Sequence, residues 1–156
     1  MPVEIENNDT LATANSESLG TTITGNSVSK SDIDYYQFTL TAVNTLNINF
    51  TAPTGSDSIG NPHTITVYDA LGNIVATWAA TVSSAYKYLV DTAGIYYVSV
   101  GNSYSTGQYA LNLTTTSGNF ESEFNGNRAT ADPATLGTTI SGQVKNSSDV
   151  DYFSLA

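Results

Sequence analysis

The chain has 156 residues, enough to bury a core, and its 14 acidic against 4 basic residues give a net charge of −10. No Lys/Arg cluster occurs, so the electrostatic attraction behind nucleic-acid binding is missing, as is attraction to an anionic membrane surface. With no cysteine there is no disulfide framework and no thiolate metal site. Only 12% of residues are charged, while 10 Tyr stand among many Thr, Ser, Asn and Gly, the composition of a β-rich chain with polar turns.

Met1-Pro2-Val3-Glu4 has neither a basic start nor an apolar segment, so no signal peptide is read there, and no apolar run approaches a membrane span. Glu4-Ile5-Glu6-Asn7-Asn8-Asp9 is dense in oxygen ligands. If extended, it projects Glu4, Glu6 and Asn8 to one side. Thr10 to Asn15 predicts a helical turn or two with Asp9 as N-cap. Thr21 to Thr24 predicts a short strand closed by Gly25, and Asn26 to Ser31 a polar loop.

Asp34 to Leu40 predicts a strand with Tyr36, Phe38 and Leu40 on the core face, and Tyr35, Gln37 and Thr39 opposite. Further strands follow over Thr45 to Phe50, Thr64 to Tyr68, Asn73 to Trp78, Ala85 to Val90, Ile95 to Val100 and Gln108 to Thr114. A long Pro/Gly/Ser loop spans Ala52 to Pro62, and Asp69-Ala70-Leu71-Gly72 is a hairpin signal. Tyr96, Val98 and Val100 share one face, as do Tyr109, Leu111 and Leu113. About eight short strands with Gly-rich turns predict an all-β fold, an antiparallel β-sandwich.

Ser31-Asp32-Ile33-Asp34-Tyr35-Tyr36 returns as Ser148-Asp149-Val150-Asp151-Tyr152-Phe153. The same offset of 117 positions relates Leu19-Gly20-Thr21-Thr22-Ile23 to Leu136-Gly137-Thr138-Thr139-Ile140, and Glu4-Ile5-Glu6 to Glu121-Ser122-Glu123. The chain therefore reads as one complete unit, residues 1–116, followed by a linker and the opening part of a second, residues 117–156. Thr116-Ser117-Gly118 reads as a flexible joint. The second copy has no counterpart of the later strands, so disorder is expected for 121–156, or strand exchange with a neighbouring molecule; otherwise the chain is expected to be monomeric. A chain that stops inside a repeat is expected to be part of a longer protein with its export signal elsewhere.

Taken in order, Glu4-x-Glu6-x-Asn8-Asp9, Gly25, Asp34-Tyr35-Tyr36-x-Phe38, Asp69-x-x-Gly72, Gly94-x-Tyr96-Tyr97-Val98-x-Val100 and Gly107-x-Tyr109-x-Leu111 resemble the bacterial pre-peptidase C-terminal domain. The collagen-binding domains of clostridial collagenases are similar to it. The resemblance spans about residues 4 to 115 and restarts at Glu121. It implies a jelly-roll-like β-sandwich carried as an accessory module on secreted proteases and other extracellular proteins. It also implies calcium held by Glu4, Glu6, Asn8, Asp9 and Asp34, plus the loop position Ser31. Calcium-binding members carry a carboxylate at that loop position, and the adjacent Asp32 is expected to substitute. In the second copy Gly126 stands where Asp9 does in the first, which implies a weaker site.

The chemistry of the residues leads the same way. Glu4, Glu6, Asp9, Asp32 and Asp34 brought together would repel one another, and calcium accepts six to eight hard oxygen ligands in irregular geometry. Magnesium demands a stricter octahedron, and zinc lacks its usual ligands with one His and no Cys. A solvated acidic end and carboxylates that contact a partner are the alternatives. His63, the only histidine, follows Pro62 and reads as a solvent-exposed bystander, so no catalytic constellation is read. Tyr86, Tyr88, Tyr97 and Tyr104 are candidate ligand-facing aromatics, whereas Trp78 reads as core. The expectation is a non-catalytic, calcium-stabilised module of a secreted or cell-surface bacterial protein, for substrate targeting or adhesion to an extracellular polymer. A carbohydrate-binding module and a structural spacer or maturation aid are the alternatives.

Overall fold

The computed structural model describes the chain except residues 43, 54–61, 102–105, 123–124, 145–146 and 156. Its strands are β1 (Asn15–Ser16), β2 (Thr22–Ser27), β3 (Asp34–Leu40), β4 (Asn44–Thr51), β5 (His63–Tyr68) and β6 (Ile74–Ala80). They continue with β7 (Ser84–Val90), β8 (Gly94–Gly101), β9 (Gly107–Thr116), β10 (Asp132–Ala134) and β11 (Phe153–Leu155). One sheet has the order β1-β3-β8-β5-β6, the facing sheet β2-β9-β4-β7, and β10-β11 is a separate pair. From β2 to β9 the chain changes sheet at every connection except the β5–β6 hairpin, which makes the eight strands a jelly-roll sandwich. All pairings among these eight are antiparallel.

Alternation builds the core. Tyr36, Phe38 and Leu40 of β3 and Tyr96, Val98 and Val100 of β8 meet Leu46, Ile48 and Phe50 of β4 and Tyr109, Leu111 and Leu113 of β9. Each of these sets occupies every second position, so one face of every strand enters the space between the sheets. The β5–β6 turn closes as its sequence dictates: Asp69 Oδ1 accepts the Leu71 and Asn73 N–H groups at 2.9 Å each, and Gly72 takes φ +83°. At the opposite sheet edges Trp78 of β6 stacks on Tyr86 of β7, with centroids 5.1 Å apart and planes 20° apart. The Tyr86 hydroxyl donates to the Ala79 carbonyl at 3.1 Å, which fastens this seam.

The structure corrects three local expectations. A single 3-10 turn, Leu11–Thr13, replaces the longer helical segment, and Thr10 rather than Asp9 starts it, its hydroxyl 2.8 Å from that of Thr13. β2 does not stop at Gly25 but runs on to Ser27, because Gly25 pairs with Tyr109 of β9. His63 is not solvent-exposed: it opens β5, is 2% exposed, and its ring lies 5.2 Å from that of Phe50. Burial lowers its pKa and keeps the imidazole neutral. The short β1, which joins β3 in parallel, carries no apolar period that sequence reading could detect.

The second copy repeats the first in register. Asp132 pairs with Phe153 as Asn15 pairs with Tyr36, and Phe120 bridges Ser141 as Val3 bridges Thr24. The Tyr152 N–H donates to the Asn125 carbonyl at 3.1 Å, as Tyr35 N–H donates to Asn8 at 3.0 Å. What differs is cover: Phe153 is 44% exposed where Tyr36 is fully buried.

Phe50 touches the rings of both His63 and Tyr109 from the middle of the core. Phe50→Ala is expected to cost about 3–5 kcal/mol, as large-to-small core changes do, measured by denaturant unfolding.

Candidate metal centre

Residues 2–9 strap the β2–β3 side of the sandwich, touching both sheets. Glu4 N–H donates to the Thr24 carbonyl at 3.0 Å, and Thr24 N–H to Pro2 at 2.9 Å, so the strap lies along β2. Further on, the Asn8 carbonyl accepts the Tyr35 N–H of β3. Between these anchors the Asn15 side chain holds Ile5 through both its backbone groups, at 2.7 and 3.0 Å. The strap thereby brings Glu4, Glu6 and Asp9 to the sheets' edge.

The turn before β3 supplies the other wall. Asp32 N–H donates to the Ser29 carbonyl at 3.2 Å, and Asp32 Oδ2 accepts the Val28 N–H at 2.6 Å, which turns the carboxylate toward the strap. Carboxylate oxygens of Glu4, Glu6 and Asp34 lie within 4.8 Å of one another, as do those of Glu6, Asp9 and Asp32. Glu6 belongs to both groups and joins them. Asp32 is thus brought in, while the Ser31 hydroxyl is 3.1 Å from that of Ser29. Asn8 is fully buried, and neither its Oδ1 nor its Nδ2 has a protein partner.

Beneath the carboxylates lies a pair of phenols. The Tyr36 hydroxyl donates to Glu4 Oε2 at 2.7 Å, the Tyr109 hydroxyl to Asp34 Oδ2 at 2.6 Å, and the two phenol oxygens are 2.6 Å apart. The Asn26 N–H holds Glu4 Oε1. The Tyr109 hydroxyl also lies 3.4 Å from Glu4 Oε2, so the two phenols bridge both carboxylates. Burial, then repulsion from Glu4, Asp32 and Glu6, lifts the Asp34 pKa from 3.8 to about 7 against the lowering effect of the Tyr109 hydrogen bond, which favours a proton on Asp34 below that pH. Asp34 Oδ1 remains buried without a partner. Glu6 is also raised, by burial and then by Glu4, Asp32 and Asp9. Burial, first of all, pushes the phenol pKa values of Tyr36 and Tyr109 up, so both stay protonated donors.

Gly25 makes this arrangement possible. A Cβ there would stand 2.1 Å from the Tyr109 ring, so only glycine lets the phenol cross β2 to reach Asp34. The donor set is all oxygen, gathered from two chain segments, with buried oxygens on Asn8 and Asp34 left unsatisfied. Such a set fits a hard divalent cation of calcium's size and coordination number.

The candidate aromatics scatter. Tyr88 is a core residue, 4% exposed, which corrects its reading as a surface tyrosine. Half-buried Tyr86 is spent on Trp78, and Tyr104 lies outside the described residues. Tyr97 does occupy the outer face of β8, paired with Gln37 and Tyr68. The structure adds two residues beside it that were not singled out: Tyr35 and Tyr68, ring centroids 5.6 Å apart. Burial and Tyr68 push the Tyr35 phenol up to about 12. Period two placed Tyr35 opposite the core face, but the cross-strand alignment that gathers the three tyrosines is not visible in one strand.

Fold and site together define a jelly-roll module with an oxygen-lined acidic cradle at one edge. Among solved structures the chain is similar to the pre-peptidase C-terminal domain of a collagenase from Bacillus anthracis, with a TM-score of 0.52 and 23% identity, covering 65% of this chain and 94% of that one. The likeness read from the sequence motifs is met there at the level of the fold. A second structure, the periplasmic g-type lysozyme inhibitor PliG of Aeromonas hydrophila, superposes with a TM-score of 0.48 and 8% identity, over 66% of this chain and 99% of that one. No protein-family model matches the sequence, and no curated protein does. No described helix is long and apolar enough to cross a membrane.

Two outcomes follow from the cradle. Between pH 3.8 and about 7 native Asp34 keeps a proton that the unfolded chain has lost, so its stabilisation is complete below 3.8 and disappears as pH rises to about 7. In chelator, wild-type protein is therefore expected to lose stability across that window relative to Asp34→Asn, and parallel unfolding curves would contradict it. Gly25→Ala is expected to displace Tyr109 and lower stability by about 1–3 kcal/mol, the range for overpacked sites, measured by thermal unfolding.

Proposed function

We propose that the chain is a non-catalytic accessory module of a secreted or cell-surface bacterial protein, stabilised by calcium and serving substrate targeting or adhesion. The observation that carries this reading is the double carboxylate cluster joined by Glu6, with buried unsatisfied oxygens on Asn8 and Asp34. Glu4, Glu6, Asn8, Asp9, Asp32 and Asp34 would hold the ion. Bound there, calcium would neutralise the repulsion among the carboxylates and take the place of the proton on Asp34. It would also pin residues 2–9, which are otherwise anchored by few backbone bonds, to the edge of both sheets.

The outer-face tyrosines Tyr35, Tyr68 and Tyr97 support a role in contacting an extracellular polymer. Half-buried phenols on a flat sheet face offer broad apolar contact with a polar tip, which suits an extended polypeptide or a sugar chain. The fold is shared with a domain of a collagenase, which favours a protein ligand over a glycan as the first to test.

Thermal unfolding in chelator and in rising calcium tests the metal. A ligand present at a hundredfold its dissociation constant stabilises by about 2.7 kcal/mol, so the midpoint should climb with calcium and less with magnesium. Asp34→Asn together with Glu6→Gln should abolish the rise. An unchanged wild-type midpoint across millimolar calcium would remove the metal from the account. Pull-down on fibrillar collagen and on insoluble glycans, with Tyr97→Ala as control, separates the targeting reading from that of a spacer.

A further inference from the structure

Leu89 is out of keeping with its strand. Its neighbours Tyr88 and Val90 point into the core, so Leu89 belongs to the outer face of the four-stranded sheet, at the edge strand β7. An outward leucine on an edge strand would ordinarily meet water, yet Leu89 is 5% exposed. The second copy covers it. Thr45, Asn47 and Leu89 of the sheet and Phe120, Gly142 and Gln143 of the second copy line the walls of one shared hollow.

Hydrogen bonding fixes the contact. The Leu89 N–H, on the free side of β7, donates to Gln143 Oε1 at 2.8 Å. The backbone N–H of Gln143 in turn donates to the Glu121 carboxylate, which is 2% exposed. Gln143 therefore reaches from a buried anchor in the second copy to the sheet edge of the first. The corresponding residue of the first copy is Asn26, whose N–H is held by Glu4 in the same way but whose side chain is one methylene shorter. Only residues 117–119 separate the end of β9 from the bridge at Phe120, a span of roughly 10 Å. So short a tether makes docking nearly free of loop-closure entropy.

We propose that the outer face of the four-stranded sheet around Leu89 is the docking surface for the opening segment of the next repeat, with Gln143 as its clamp. Consecutive repeats then stand at a fixed angle, and residues 116–118 form a rigid joint rather than a flexible one. The docked segment also blunts the exposed edge of β7, which would otherwise be open to pairing with another chain. The Leu89–Gln143 bond and the cover over Leu89 use none of the residues proposed to hold the cation in the first copy.

Amide exchange and 15N relaxation of the full chain test it. Residues 119–155 are expected to share the rotational correlation time of the sandwich, and the Leu89 amide to be protected. Gln143→Ala should speed Leu89 exchange by about tenfold or more while the β3–β8 amides, which report the sandwich itself, keep their protection. A separate, shorter correlation time for 119–155 in the wild type would overturn the proposal. So would a Leu89 amide whose exchange is unchanged in Gln143→Ala.

Discussion

The burial of Asp34, and the partial burial of Glu4, against the phenols of Tyr36 and Tyr109 is the constraint on which the rest of the structure turns. Carboxylates are costly to remove from water unless each oxygen finds a donor or a cation. Here the donors come from β3 and β9, strands of opposite sheets, so the hydrogen-bond chain from Glu4 to Asp34 runs across the sandwich. The strap that carries Glu4 is thereby tied to both layers. Closing the edge of a jelly roll and assembling an acidic cradle become one event. The remaining excess of negative charge would be relieved by a proton on Asp34, whose pKa is raised to about 7, or by the proposed divalent ion.

Much of this was legible in the sequence. Alternation located the eight main strands and the inward faces of β3, β4, β8 and β9, because a half-buried strand must repeat every two residues whatever its partners are. Residues related by the offset of 117 positions form equivalent bridges and parallel pairs in the structure. The oxygen-bearing residues are visible as a set, since Glu4, Glu6 and Asn8 lie two apart and Asp32 and Asp34 stand at the start of the next long strand. What escaped was whatever depends on partners distant along the chain. Alternation marks Tyr109 only as a core residue, though its hydroxyl reaches Asp34 across 75 positions. His63 looked exposed because it follows a proline loop, but pairing with Ala80 draws it inside. Tyr88 and Tyr86 share a face, and that face turned out to be the interior and its seam.

Residues 119–155 show the same local physics. A Cβ at Gly142 would meet the Glu121 carboxylate, where one at the equivalent Gly25 would meet the Tyr109 ring. The apolar strand face of β11 is left partly open at Phe153 and Leu155. The local strap, turn and parallel pairing nevertheless hold their register. These features are encoded within some forty residues, whereas the sandwich core is a property of the whole unit.

The most direct test of the cradle is diffraction from crystals grown in calcium, with a lanthanide soak to locate the site by anomalous scattering. The account predicts a strong peak bounded by side-chain oxygens from among Glu4, Glu6, Asn8, Asp9, Asp32 and Asp34, at oxygen distances of about 2.3–2.6 Å. Density in the cradle accounted for by water alone, with Asp34 still hydrogen-bonded as an acid to Tyr109, would contradict it.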